Sequence, residues 1–134
     1  MSLSAAAQSA LAEVIDSFEK LELVVLLHRP AAGPRTTAEL ARRLSLSPEV
    51  ITEALRAMAT DGVVCGDGDS GWLLDPGGKW LDSVSALVTE YEDDRLLVLD
   101  ALTRLALRRI RGQAAQVFAD AFLIRQTKKG KPDG

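Results

Sequence analysis

Residues 36–74 read TTAELARRLSLSPEVITEALRAMATDGVVCGDGDSGWLL. Thr36 and Thr37 both bear hydroxyls suited to capping a helix N-terminus, and the short helix they open turns Leu40, Ala41 and Leu44 to one side. Ser45-Leu46-Ser47 leaves room for only a tight connection. Ser47 then caps a second helix with Pro48 in its first turn, where a missing amide hydrogen costs nothing. Val50, Ile51, Ala54, Leu55 and Met58 make its inner face, and Asp61-Gly62 stops it because glycine accepts the left-handed backbone of a helix end. Val63, Val64 and Cys65 read as a short strand, and Trp72, Leu73 and Leu74 as its hairpin partner. Gly66-Asp67-Gly68-Asp69-Ser70-Gly71 forms the polar tip between them.

Outward from this stretch the pattern is helical. Upstream, Leu3, Ala7, Leu11, Val14 and Phe18 recur at steps of four and three. Asp16 and Glu19 suggest a capping box for a further helix through the apolar run Leu21–Leu27, so this region is two helices or one bent one. Pro30, Gly33 and Pro34 form a loop. Downstream of Pro76-Gly77-Gly78, one face carries Trp80, Val84, Leu87 and Tyr91. The acidic group Glu90, Glu92, Asp93 and Asp94 could divide the remainder, so residues 78–125 form one helix or two. From Arg95 onward a single stripe joins Leu99, Leu102, Ala106, Ile110, Ala114, Val117, Phe118, Ala121 and Phe122. The organisation read from the sequence is an N-terminal helix (1–15), the central module (16–75), a helical region (76–126) and a basic tail (127–134).

The order of short helix, turn, longer helix and two-stranded hairpin behind a leading helix resembles the winged helix-turn-helix of bacterial transcriptional regulators, broadly the MarR-like group. Thr37-Ala38-Glu39-Leu40-Ala41, Leu46-Ser47, and Leu55 with Asp61-Gly62-Val63-Val64 carry the resemblance, which spans roughly 60 residues. It implies a mainly α fold, with a two-stranded wing and long C-terminal helices. It also implies a transcription regulator that binds double-stranded DNA as a homodimer. In that reading the helix from Pro48 enters the major groove, where Thr52 and Arg56 face the bases, with Arg42 and Arg43 on phosphates and Arg35 helping from the loop. Leu99, Leu102, Ala106, Ile110, Val117 and Phe118 would pair the subunits, because about 45 Å of helix exceeds what so small a body covers. Such regulators often hold a small effector between the module and the dimer helices. Trp72, Trp80 and Tyr91 could line such a pocket, although core packing is the simpler use of aromatics in a chain with only 4% of them.

Charge complicates the DNA reading. Between Arg35 and Asp75 there are 4 basic and 7 acidic residues, a balance of −3. Phosphate neutralisation usually supplies much of DNA affinity, so a second reading is a winged helix that docks a basic protein. Across the 134 residues the net charge of −3 divides into −9 for residues 1–94 and +6 for residues 95–134. Arg104, Arg108, Arg109 and Arg111, with Lys128, Lys129 and Lys131, form the basic part. They could hold nucleic acid, an anionic membrane surface or an acidic protein, but the simpler reading is a solvated helix face, with Asp100 pairing Arg104 one turn on.

Catalytic and metal chemistry lack their parts. His28 is the single histidine and sits near a helix C-terminus. Cys65, the single cysteine, reads as an inert thiol in a strand and excludes an internal disulfide. Asp67 and Asp69 lack the closing glutamate of a calcium loop, and no lysine follows the glycines as a phosphate loop requires. The expectation is a soluble cytoplasmic protein without cofactor, enzymatic activity or membrane insertion.

Overall fold

The computed structural model describes residues 3–29 and 33–130; beyond residue 117 the side chains of residues 119 and 121 alone are described. The described chain is mainly helical. Helices α1 (Ala5–Glu13) and α2 (Phe18–His28) lead into α3 (Thr37–Leu44) and α4 (Pro48–Thr60). An antiparallel hairpin of β1 (Val64–Asp67) and β2 (Gly71–Leu74) follows, then α5 (Leu81–Asp93) and α6 (Arg95–Gly130).

Local chemistry fixes most of these boundaries. Ser4, Ser17, Thr36 and Ser47 cap α1 to α4, each hydroxyl accepting from the backbone amide three residues on. The cap of α2 is therefore Ser17, one residue after the expected Asp16, whose carboxylate instead pairs with Lys20 at 2.7 Å. The leading helices are separate, and so are the trailing ones: Asp94 leaves helical geometry between α5 and α6, and its carboxylate accepts from the Leu97 amide at 3.2 Å. At the end of α4, Gly62 takes φ +82° and the Val63 amide closes back onto the Met58 carbonyl at 2.8 Å. Of the expected loop, Pro30 lies outside the described residues. The helix expected to end near residue 126 continues to Gly130, and the rest of the basic tail, residues 131–134, lies outside the described residues.

One continuous core joins α1 to α5, the hairpin and the first turns of α6. Leu21, Leu23, Val24, Val25 and Leu26 make α2 its centre, buried against α3, α4, β2 and α5. From α4 come Ile51, Ala54, Leu55 and Met58, and from α5 Val84, Leu87, Val88 and Tyr91. Helix α1 adds Ala7, Ala10 and Leu11 against α5. Trp72 and Tyr91 are core residues, while Trp80 is half-buried with the Lys79 ammonium 5.7 Å from its ring centre. No described helix is long and apolar enough to cross a membrane.

Helix α6 divides along its length. Val98 and Leu102 are buried against the body, with Leu97, Leu99, Ala101 and Leu105 packed beside them. Arg109 anchors the helix further: one guanidinium nitrogen donates to the Leu11 and Ala12 carbonyls at 3.0 and 2.9 Å, the other to the Asp16 carbonyl at 3.5 Å. A cation on the carbonyl end of α1 also suits the negative end of that helix's dipole. From Ile110 to Val117 every side chain is exposed.

Candidate nucleic-acid interface

Burial of one side of α4 dictates what its other side presents. With Ile51, Ala54, Leu55 and Met58 turned inward, Glu49, Glu53 and Arg56 stand exposed and Thr52 is half-buried at the margin. The helical repeat makes Glu49, Thr52, Glu53 and Arg56 a single strip two turns long. The strip borders a cleft whose far wall is the wing, with Thr52 and Arg56 facing Asp67, Gly68 and Asp69 across it.

The wing is held in place by contacts that the sequence pattern does not announce. Arg35 pairs with Trp72 as a one-residue third strand, with the Arg35 amide donating to the Trp72 carbonyl at 3.0 Å and the reverse bond measuring 2.7 Å. The Trp72 indole nitrogen donates to the Thr37 hydroxyl at 3.1 Å, tying β2 to the start of α3. Gly71 is required at this junction. Its φ is +105°, and a Cβ there would meet Pro34 Cβ at 2.7 Å.

At the wing tip the Asp67 carboxylate accepts from the Asp69 and Ser70 amides at 2.9 and 2.7 Å and from the Ser70 hydroxyl at 2.6 Å. The hydroxyl bond, followed by the amide bonds, lowers the Asp67 pKa below its ordinary 3.8, so the tip stays anionic.

The candidate arginines have three different fates. Arg35, expected to reach a phosphate from the loop, is 7% exposed and pairs with Glu39. Its Nε lacks a hydrogen-bond partner among the described residues. Burial commits Arg35 to the fold and removes it from the surface set. Arg43 is exposed but shares Glu39 at 3.3 Å. Arg42 and Arg56 are exposed, and among the described residues their side chains make no hydrogen bond or ion pair. Glu49 and Glu53 are likewise exposed without an ion partner among the described residues.

The stripe assigned to subunit pairing does not form one free face. Leu102 is buried within the chain, and Leu99 and Ala106 are half-buried. Ile110 and Val117 are free, and the Phe118 side chain lies outside the described residues. The sequence reading overlooked Leu107, which is exposed beside Ile110, and the Arg109 clamp. Leu107 was legible in principle, because it stands three residues before Ile110 and seven before Ala114. Nothing in the sequence marks Arg109 apart from its basic neighbours.

Searches against family models, curated proteins and solved structures found nothing that matches this chain.

Proposed function

We propose that the chain is a DNA-binding regulator that acts as a dimer, with α4 entering the major groove. The observation that supports this reading is the exposed polar strip of α4 beside the wing, with Arg56 on the strip and Arg42 on the preceding helix both without an ion partner among the described residues. Thr52 and Arg56 read base edges, Arg56 by two parallel bonds to a guanine, and Arg42 holds a phosphate. Arg43 contributes only as far as Glu39 releases it. A two-fold dimer would place its two half-sites about 34–36 Å apart, one turn of duplex.

This arrangement demands unusual electrostatics. Arg42 and Arg56 give at most four free cations per dimer, so the logarithm of affinity should fall against the logarithm of salt with a slope of roughly −3.6 or shallower. Affinity must then depend on base contacts more than on phosphates. The test is fluorescence anisotropy with labelled duplexes across a salt series, including a pool selected for binding. Arg56→Ala should remove preference among sequences, and Arg42→Ala should weaken all duplexes alike. Parent-like binding by both variants would reject α4 as the reading surface.

A second reading has its own observation. Asp67 and Asp69 make the wing side of the cleft acidic, and Glu49 and Glu53 stand exposed on the strip outside it, so four carboxylates surround the single cation of Arg56 on this surface. A winged helix docked on a basic protein surface would use those carboxylates. Absence of DNA binding even at low salt would favour it.

A further inference from the structure

Helix α6 carries a second apolar face that its own body does not use. Leu107, Ile110, Ala114, Val117 and Ala121 follow steps of three, four, three and four, the spacing of a seam between two packed helices. Leu96 lies on the same face. At 3.6 residues per turn this seam is roughly a third of a turn or more from Val98, Leu102 and Leu105, which hold the helix to the body. Exposure is 77% at Leu96, 45% at Leu107, 58% at Ile110 and 68% at Val117. Between the larger side chains, Ala114 and Ala121 leave a shallow hollow bordered by Ile110, Gln113 and Val117.

The charge pattern indicates the orientation of the occupant. Exposed Glu92, Asp93 and Asp94 mark the start of α6, and exposed Arg108 and Arg111 stand just inward of its midpoint. None of these five side chains has an ion pair among the described residues. The helix then runs on through sequence positions occupied by Arg125, Lys128 and Lys129. A parallel pair would gather the acidic ends together and the basic ends together. An antiparallel pair sets the basic end of each helix beside the acidic end of the other, within reach of about 10 Å at ordinary salt.

We infer that α6 packs antiparallel against α6 of a second copy along the Leu107–Ala121 seam, with the two-fold axis near Ala114. The inference rests on the proposed dimer and gives it a geometry. The crossing lies within a turn of the midpoint of the 36-residue helix, so nearly the whole helix overlaps its mate. Residues 125–130 then run alongside residues 98–103 of the second copy, about one to three turns from Asp93 and Asp94, with the basic positions 128 and 129 nearest the acidic end.

Cysteine cross-linking separates the possibilities. In full-length protein carrying Cys65→Ser, single cysteines are placed by Ala114→Cys or Leu96→Cys, and oxidation is followed on non-reducing gels. The antiparallel pair predicts efficient self-linkage at 114 and none at 96, whose two copies lie about 54 Å apart along the helices. Self-linkage at both positions means a parallel pair and overturns the orientation. A dimer linked at neither position overturns the seam. Sedimentation of the parent chain supplies the independent check, with dimer affinity expected to fall roughly tenfold as salt rises from about 50 to 500 mM. A monomer at tens of micromolar would reject the dimer itself, while unchanged or stronger association at high salt would reject the charge-matched geometry.

Discussion

Arg35 and Glu39 show how one contact can reverse the meaning of a residue. An arginine between Pro34 and a helix cap reads as a solvated side chain poised for phosphate, yet its backbone pairs with Trp72 and its guanidinium is buried against Glu39. No periodicity announces a one-residue strand, so the burial could not be read from the sequence. The pair is asymmetric in its consequences. Glu39→Ala leaves the Arg35 cation buried without its counter-ion and should cost about 3 kcal/mol. Arg35→Met keeps volume and apolar contact, removes the charge, and leaves Glu39 to Arg43, so it should cost no more than about 1 kcal/mol. Urea denaturation of the two variants measures the difference. Equal losses would mean that the Arg35 guanidinium is effectively solvated.

Helices α3 and α4 were legible because independent signals agree there: hydroxyl caps, a proline in the first turn, a glycine stop and a single inner face. Helix α6 was legible as a helix but not in its allegiances. Leu99, Leu102, Ala106 and Ile110 fit one stripe, and the body claims the first three to differing degrees while Ile110 stays free. A helix with two apolar faces satisfies the same three- and four-residue steps in more than one way. The packing of α5 on α2 was also outside pattern reasoning, and it includes a polar contact in which the Tyr91 hydroxyl donates to Glu22 at 3.0 Å. Burial first, and then that bond, raises the Tyr91 pKa above its ordinary 10.0. Folding favours the neutral phenol, so this contribution to stability is complete below pH 10.0 and declines as pH climbs through the raised folded value. Tyr91 is the single tyrosine, which makes phenolate absorbance a clean readout. Its midpoint in the folded chain should exceed that in urea, and Glu22→Gln should bring it partway back. A midpoint unchanged by unfolding would mean that the ring is not buried where α5 meets α2.

At the scale of the molecule, the chain is a body with a projecting rod, and Arg109 marks the change from one to the other. Inward of it, α6 contributes Val98 and Leu102 to the common core; outward, the side chains from Ile110 to Val117 are exposed. About 30 Å of helix follows Arg109, its side chains from Ile110 to Val117 are exposed, and helices of that length are marginal in water when alone. A chain ending after Arg111 should therefore retain the fold, because it keeps the core and the three carbonyls that Arg109 clamps. Its thermal midpoint at low protein concentration should lie within a few degrees of the parent, while the parent alone should gain stability as concentration rises, the mark of a fold coupled to association. The same truncation tests the division of labour between body and rod. If the rod pairs the subunits and α4 grips DNA, the shortened chain should be monomeric and still bind a single half-site, but lose the avidity of two linked modules. If it remains dimeric, pairing resides on the body, and the apolar seam of α6 faces some other surface.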